Sequence, residues 1–170
     1  METTHNTLPK KARTQSVELL NKHLAASIDL YAQLKQAHWN VRGLSFIAIH
    51  ELFDKVAADV ESYSDLMAER AATLGGTAHG TIQSATEHSY LEPYPLEIDD
   101  ELPHVLAVSD ALAAFGKGVR EAIDQADKYD DADTSDLFTE VSRGIDHQLW
   151  FVESHVAPDS RNHKVAARAK

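Results

Sequence analysis

The stretch HWNVRGLSFIAIHELFD, residues 38–54, predicts the turn that joins the first two helices of a bundle. Gly43 separates two segments of helical periodicity, and glycine is favoured where a helix ends. His38 lies five residues before Gly43 and His50 lies seven after it, so the two imidazoles are nearly level in an antiparallel hairpin. Asp54 follows one helical turn later. The stretch therefore predicts a helical hairpin that carries side chains able to bind a metal ion.

The rest of the chain shows four long helical segments and no strand pattern. Apolar residues recur every three or four positions in each segment, as they do in amphipathic helices. The segments span about 16–42, with Ser16 as the predicted N-cap, then 45–74, 101–128 and 134–156. The crossover at 76–98 is predicted to hold one short helix at 81–88. Two helical hairpins joined by a long crossover predict an all-α, ferritin-like four-helix bundle.

The composition fits one domain, because 43% of the 170 residues are hydrophobic. The chain has no cysteine, which excludes disulfides and thiolate metal sites. No apolar run is long enough to cross a membrane and no secretory signal is evident, so a cytoplasmic protein is expected. We predict a flexible basic tail at 1–14, the bundle over 15–156 and a second flexible basic tail at 157–170.

The charge distribution leaves direct binding of DNA as an open alternative. The net charge is −11, and the acidic body repels nucleic acid, whereas basic tails attract phosphates. Ordinary solubilising termini would have the same composition. The candidate DNA contacts are the cations of the two tails: Lys10, Lys11, Arg13, Arg161, Lys164, Arg168 and Lys170.

The second helix separates its polar ligands from its core face. At 100° per residue, Asp54, Asp65 and Glu69 lie at about 40°, 60° and 100° from His50. The apolar residues lie on the other side of the helix, so the ligand face points away from the core of its own bundle. His50 and Asp65 are also about 22 Å apart along the helix at 1.5 Å per residue, too far to share one metal ion.

Two copies of the chain solve this spacing problem. Asp54 and Asp65 have their midpoint at residue 59.5, and so do His50 and Glu69. Antiparallel pairing of two such helices about a two-fold axis therefore joins the half-sites into two identical sites. His38 joins the His50 end of each site through the hairpin. We predict a homodimer with intersubunit metal sites.

The ligand set of two imidazoles and three carboxylates suits Fe(II), with Mn(II) and Zn(II) as competitors. The alternative to metal binding is a solvated polar face with ion pairs, for instance from Glu69 to Arg70 or Lys55. A di-iron centre inside the bundle is not expected, because the Glu-x-x-His spacing occurs only at Glu2/His5 and Glu101/His104.

Three motifs, HWNVRG, FIAIHELFD and DLMAERAATLG, resemble those of the Dps family of mini-ferritins. The resemblance runs from about residue 15 to 156. It implies a hollow dodecamer that oxidises Fe(II), preferentially with hydrogen peroxide rather than oxygen, and stores ferric mineral. It implies that Trp39 lies beside the site and that an acidic run lines an iron pore. The implied ferroxidase ligands are His38, His50, Asp54, Asp65 and Glu69, and the candidate pore residues are Asp131, Asp133 and Asp136.

Three functions compete on this basis. The first is a peroxide-consuming ferroxidase and iron store that protects DNA by removing the reactants of radical chemistry. The second is a nucleoid-binding protein that condenses double-stranded DNA through its tails and has a secondary metal site. The third is a structural helical assembly without turnover.

Overall fold

The structure is a computed structural model and describes residues 1–156. This part of the chain contains five α-helices and no strand. The helices are α1 Lys10–Asn40, α2 Phe46–Thr73, α3 Ile82–His88, α4 Glu101–Lys128 and α5 Ala132–Glu153. The predicted all-α bundle, with two hairpins, a long crossover and a short crossover helix, is confirmed.

The core lies between the α1–α2 hairpin and the α4–α5 hairpin. Each long helix places fully buried side chains in it, among them Leu34, Phe53, Phe115 and Ile145. On α2 the buried residues are those of the predicted apolar face, including Ile49, Phe53, Val56, Val60 and Met67. The opposite face of α2 is therefore left at the surface of the chain.

The beginning of α1 differs from the prediction. The helix begins at Lys10, after Pro9, so residues 10–14 belong to the bundle and not to a tail. Proline is tolerated at a helix start because it has no N–H to place, and the following KKARTQ residues favour helix. Ser16 is buried inside the helix and does not cap it. The residues before Pro9 also contact the bundle, since Glu2 N–H donates to Gly75 O.

The crossover is fixed to the bundle by Tyr90. Its Oη lies 3.0 Å from Nδ1 of His23, a buried residue of α1. The ring also packs against Gly118 of α4, where an added Cβ would lie 2.5 Å from the hydroxyl oxygen. This packing holds the crossover across α1 and α4. Among the helices of residues 1–156, none has the length and hydrophobicity needed to span a bilayer.

Candidate metal centre

The α1–α2 turn is held by the first turn of α4. The backbone N–H of Ser45 donates to Oε2 of Glu101 over 2.9 Å. Gly43 has a φ of +154° and lies against the Glu101 carboxylate, which a Cβ at this position would strike. Both features fix the hairpin, and the hairpin sets the relative positions of His38 and His50.

The two histidines hold each other through reciprocal hydrogen bonds. Nδ1 of His38 lies 2.8 Å from the carbonyl oxygen of His50, and Nδ1 of His50 lies 2.8 Å from that of His38. The rings stack with centroids 3.7 Å apart. A carbonyl oxygen only accepts, so both Nδ1 atoms carry a proton, and the neutral form of each ring has its lone pair on Nε2. A hydrogen bond from the far nitrogen is how proteins orient metal-binding imidazoles.

Asp54 completes the half-site at this end of α2. Its Oδ1 lies 4.0 Å from Nε2 of His38 and forms a close ion pair with Nζ of Lys35. The hydrogen bond from Lys35, together with the charge of that ammonium group, lowers the pKa of Asp54. The carboxylate is therefore ionised at neutral pH and lies near Nε2 of His38.

Asp65 and Glu69 are exposed one turn apart near the other end of α2. The structure does not bring them to the histidines. The ion pair from Glu69 to Arg70, offered as an alternative to metal binding, is not formed: Arg70 pairs with Asp131 and Asp133 instead. Within residues 1–156, no group of three or more His, Asp or Glu side chains is placed to hold a metal ion. A single chain therefore presents two incomplete half-sites.

Apolar side chains surround the His38–His50 end and lack cover from the chain itself. Trp39 is 65% exposed, Ile47 is 61% exposed and Leu44 is fully exposed. The ring of Phe46 lies 5.0 Å from that of His50 and is partly exposed. A contiguous apolar surface of this kind marks an interaction site. It lies where the predicted two-fold partner would pack.

The structure rules out one of the predicted pore residues, which lies in the acidic turn before α5. Asp131 is 1% exposed and caps α5, since Thr134 N–H donates to its Oδ1 over 3.2 Å. Burial alone would raise the pKa of Asp131, but hydrogen bonds from the side chain and the backbone of Thr134 and the charge of Arg70 lower it overall. Because its carboxylate is enclosed within the chain, Asp131 cannot line a pore. Asp133 and Asp136 are exposed and remain candidates.

The predicted DNA contacts also need one correction. Arg13 donates to the carbonyl oxygens of Leu8 and Leu74 at 3.2 and 3.0 Å, so its guanidinium holds the fold together. Lys10 and Lys11 are exposed at the start of α1. The other four candidates, Arg161, Lys164, Arg168 and Lys170, lie outside the described residues.

Two side chains at the site were missed from the sequence. Lys35 precedes His38 by three residues, and this helical spacing places both on one face. The sequence could therefore have predicted that Lys35 lies beside the site. Glu101 was considered only as part of a Glu-x-x-His pair with His104. That histidine is 1% exposed and lies 2.6 Å from Tyr94 Oη through its Nδ1. The contact of Glu101 with the hairpin depends on tertiary packing and leaves no local signal.

Comparisons with known proteins agree with this architecture. The ferritin-like domain family matches residues 17–161. The DNA protection during starvation protein of Agrobacterium fabrum is 40% identical over 157 residues, which cover 92% of this chain and 97% of the relative. A crystal form of Mycobacterium smegmatis Dps is 30% identical with a TM-score of 0.88, over 93% of this chain and 96% of that one. DpsC from Streptomyces coelicolor is also 30% identical, with a TM-score of 0.87 over 92% and 91%.

The bundle with its long crossover, together with these matches, defines the class of protein as ferritin-like. The chain belongs, within that class, to the Dps family.

Proposed function

We propose that this protein is a ferroxidase and iron store that oxidises Fe(II), preferentially with hydrogen peroxide, at sites shared by two subunits. The observation that carries the proposal is the reciprocal hydrogen bonding of His38 and His50. It fixes the orientation of both rings, and Nε2 of His38 lies 4.0 Å from the carboxylate of Asp54. Such a pair has no role in packing the core, since both rings lie at the edge of the hairpin.

The partner subunit supplies the remaining ligands. Asp65 and Glu69 of one chain are exposed and lie opposite Asp54 and His50 of its partner in an antiparallel arrangement. The completed set of two nitrogens and three carboxylates binds Fe(II) and, once the ion is oxidised, suits the harder Fe(III) through its oxygens. The exposed apolar side chains around Trp39 are buried in the same contact.

The proposed reaction balances over two iron ions. Two ferrous ions each give one electron to one hydrogen peroxide molecule, and the O–O bond breaks. The two oxygen atoms take up two protons and leave as water, with two ferric ions as the other product. Carboxylates at the site stabilise the rising positive charge of the metal. Because no single electron is given to peroxide in solution, hydroxyl radical is not released.

The assembly that we propose is a hollow dodecamer built from two-fold dimers in the cytoplasm, with ferric mineral inside. Asp133 and Asp136 are proposed to attract Fe(II) at a pore between subunits, with Trp39 next to the oxidation site as a shield or electron relay. Protection of DNA follows from the removal of Fe(II) and peroxide. Association with the nucleoid through the tails stays a separate, second proposal, now without Arg13.

A rapid-mixing assay tests the proposal. Fe(II) is added anaerobically to the assembled protein, followed by hydrogen peroxide, and ferric absorbance is recorded. We expect the double variant His50→Ala, Asp65→Ala to lower the rate at least tenfold, because each metal site loses a ligand from both chains.

The matched control is His88→Ala, which removes an exposed imidazole that hydrogen-bonds only within α3, Nδ1 to Ser84 O at 2.9 Å. It should keep the parental rate. Equal rates in the double variant and the parent would show that oxidation happens elsewhere.

A further inference from the structure

Lys35 is the cation that the structure places on a proposed metal ligand. Its Nζ pairs with Oδ1 of Asp54, the same oxygen that lies 4.0 Å from Nε2 of His38. The Lys35 side chain is only 19% exposed, whereas that of Asp54 is 56% exposed. The lysine side chain is therefore more enclosed than the carboxylate that it contacts.

A metal ion that bonds to Nε2 of His38 and to Oδ1 of Asp54 takes the oxygen that this ammonium group holds and displaces it. The displaced group has a second position within reach, because Nζ lies 5.8 Å from the centroid of the Trp39 ring and cations are attracted to indole faces. Binding of the ion breaks the attraction between Lys35 and Asp54, and this loss weakens the net affinity for the ion. Ions that gain bonds to imidazole nitrogen recover this cost, whereas ions that prefer oxygen ligands do not.

We propose that Lys35 is a specificity-determining residue: its ammonium competes for Asp54 and excludes oxygen-preferring divalent cations such as Mg²⁺ from the metal site. The inference rests on the proposed function, because it takes His38 and Asp54 as ligands. It adds a reason why a site rich in carboxylates stays available to Fe(II) in the presence of abundant Mg²⁺. Fe(II) and Zn²⁺ overcome the competitor because two imidazoles bind them.

Calorimetric titration of the assembled protein with Zn²⁺, with and without millimolar Mg²⁺, tests the inference. Zn²⁺ is a redox-inert substitute for Fe(II). The variants are Lys35→Met, which keeps the length and removes the charge, and Lys35→Arg, which keeps the charge. Lys117→Met is the control outside the α1–α2 hairpin, since Lys117 lies on α4, is 78% exposed and has its Nζ 3.9 Å from Oε1 of Glu121.

We expect Lys35→Met to bind Zn²⁺ about fivefold more tightly than the parent, the factor that corresponds to an exposed ion pair. Millimolar Mg²⁺ should remove that gain in Lys35→Met and leave the parent unchanged. Lys35→Arg and Lys117→Met should behave as the parent does.

The results that would overturn this inference differ from those that would overturn the proposed function. Weaker or unchanged Zn²⁺ binding in Lys35→Met, or equal sensitivity of Lys35→Met and the parent to Mg²⁺, would overturn the inference and leave the proposed function standing. So would an Arg variant that behaves like the Met variant, because the charge would then not be the cause. If His50→Ala leaves the Zn²⁺ binding of the parent unchanged, or if the parent binds no Zn²⁺, the proposed function fails, and the inference fails with it.

Discussion

At the scale of single residues, two kinds of histidine environment serve two purposes. His38 and His50 are partly buried, and their Nδ1 protons are donated to backbone carbonyls, so Nε2 of the neutral ring is left for a ligand. His23 is buried between Tyr90 and Phe138, and its Nε2 has no hydrogen-bond partner within residues 1–156. Burial, with a smaller effect of the Lys22 charge, lowers the pKa of His23 to about 3. The first pair is suited to binding, and the third residue is suited to packing as a neutral ring.

His23 makes stability fall in acid. The unfolded chain protonates this imidazole near its ordinary pKa of 6.5, whereas the folded chain does so only near 3. The unfolded state therefore binds more protons between these values, and stability decreases as the pH falls through that window. At 1.4 kcal/mol per pH unit, His23 should cost about 2–3 kcal/mol of unfolding free energy between pH 7 and 4.5.

Denaturant unfolding at one protein concentration measures this effect. The variant His23→Gln should show a flatter pH dependence than the parent, by about the amount given above. His88→Gln, at an exposed position, should keep the parental slope. A parental slope in His23→Gln would mean that another group causes the acid sensitivity.

At the scale of helices, one buried ion pair joins α2 to the turn before α5. Arg70 follows Glu69 directly, and its guanidinium donates to Asp131 Oδ1 over 2.7 Å and to Thr134 Oγ1 over 3.1 Å. Asp131 at the same time caps α5. The end of α2 that carries Asp65 and Glu69 is therefore fixed against the α4–α5 hairpin.

Removing the charge of Asp131 should destabilise the fold. We expect Asp131→Asn to lower the unfolding free energy by about 3 kcal/mol, because the nearly buried guanidinium of Arg70 loses its closest anion. Asp133→Asn is the matched control: Asp133 is 82% exposed and lies 3.5 Å from Arg70, so a loss below about 1 kcal/mol is expected. Equal losses in the two variants would contradict the role given to the buried pair.

The sequence predicts most of these elements, because helical periodicity is a local property. It places α2 and its two faces correctly, and its hairpin geometry anticipates that His38 and His50 meet. It misplaces the start of α1, because Ser16 looks like a cap but is buried inside a helix that begins at Lys10. It also assigns Asp131 to a pore, since a count of acidic residues does not show which one faces Arg70. Such partners depend on packing between distant segments.

At the scale of the whole molecule, the account depends on two chains meeting at one site. Each chain has a His38–His50–Asp54 half-site at one end of α2 and an Asp65–Glu69 half-site toward the other. The carboxylates of both halves are exposed, the halves are separated along α2, and exposed apolar side chains lie beside the histidines. The proposed dimer brings unlike halves together twice, once on each side of the two-fold axis.

Complementation between two inactive variants tests this claim most directly. One variant carries His50→Ala and Asp54→Ala, and the other carries Asp65→Ala and Glu69→Ala. Each is assembled alone and in an equal mixture with the other, and peroxide-dependent Fe(II) oxidation is measured. The account predicts little activity in either variant alone and about one quarter of the parental rate in the mixture. Half of the dimers are then hybrids, and each hybrid has one intact site of two. A mixture as inactive as its components, despite proven co-assembly, would contradict the shared site.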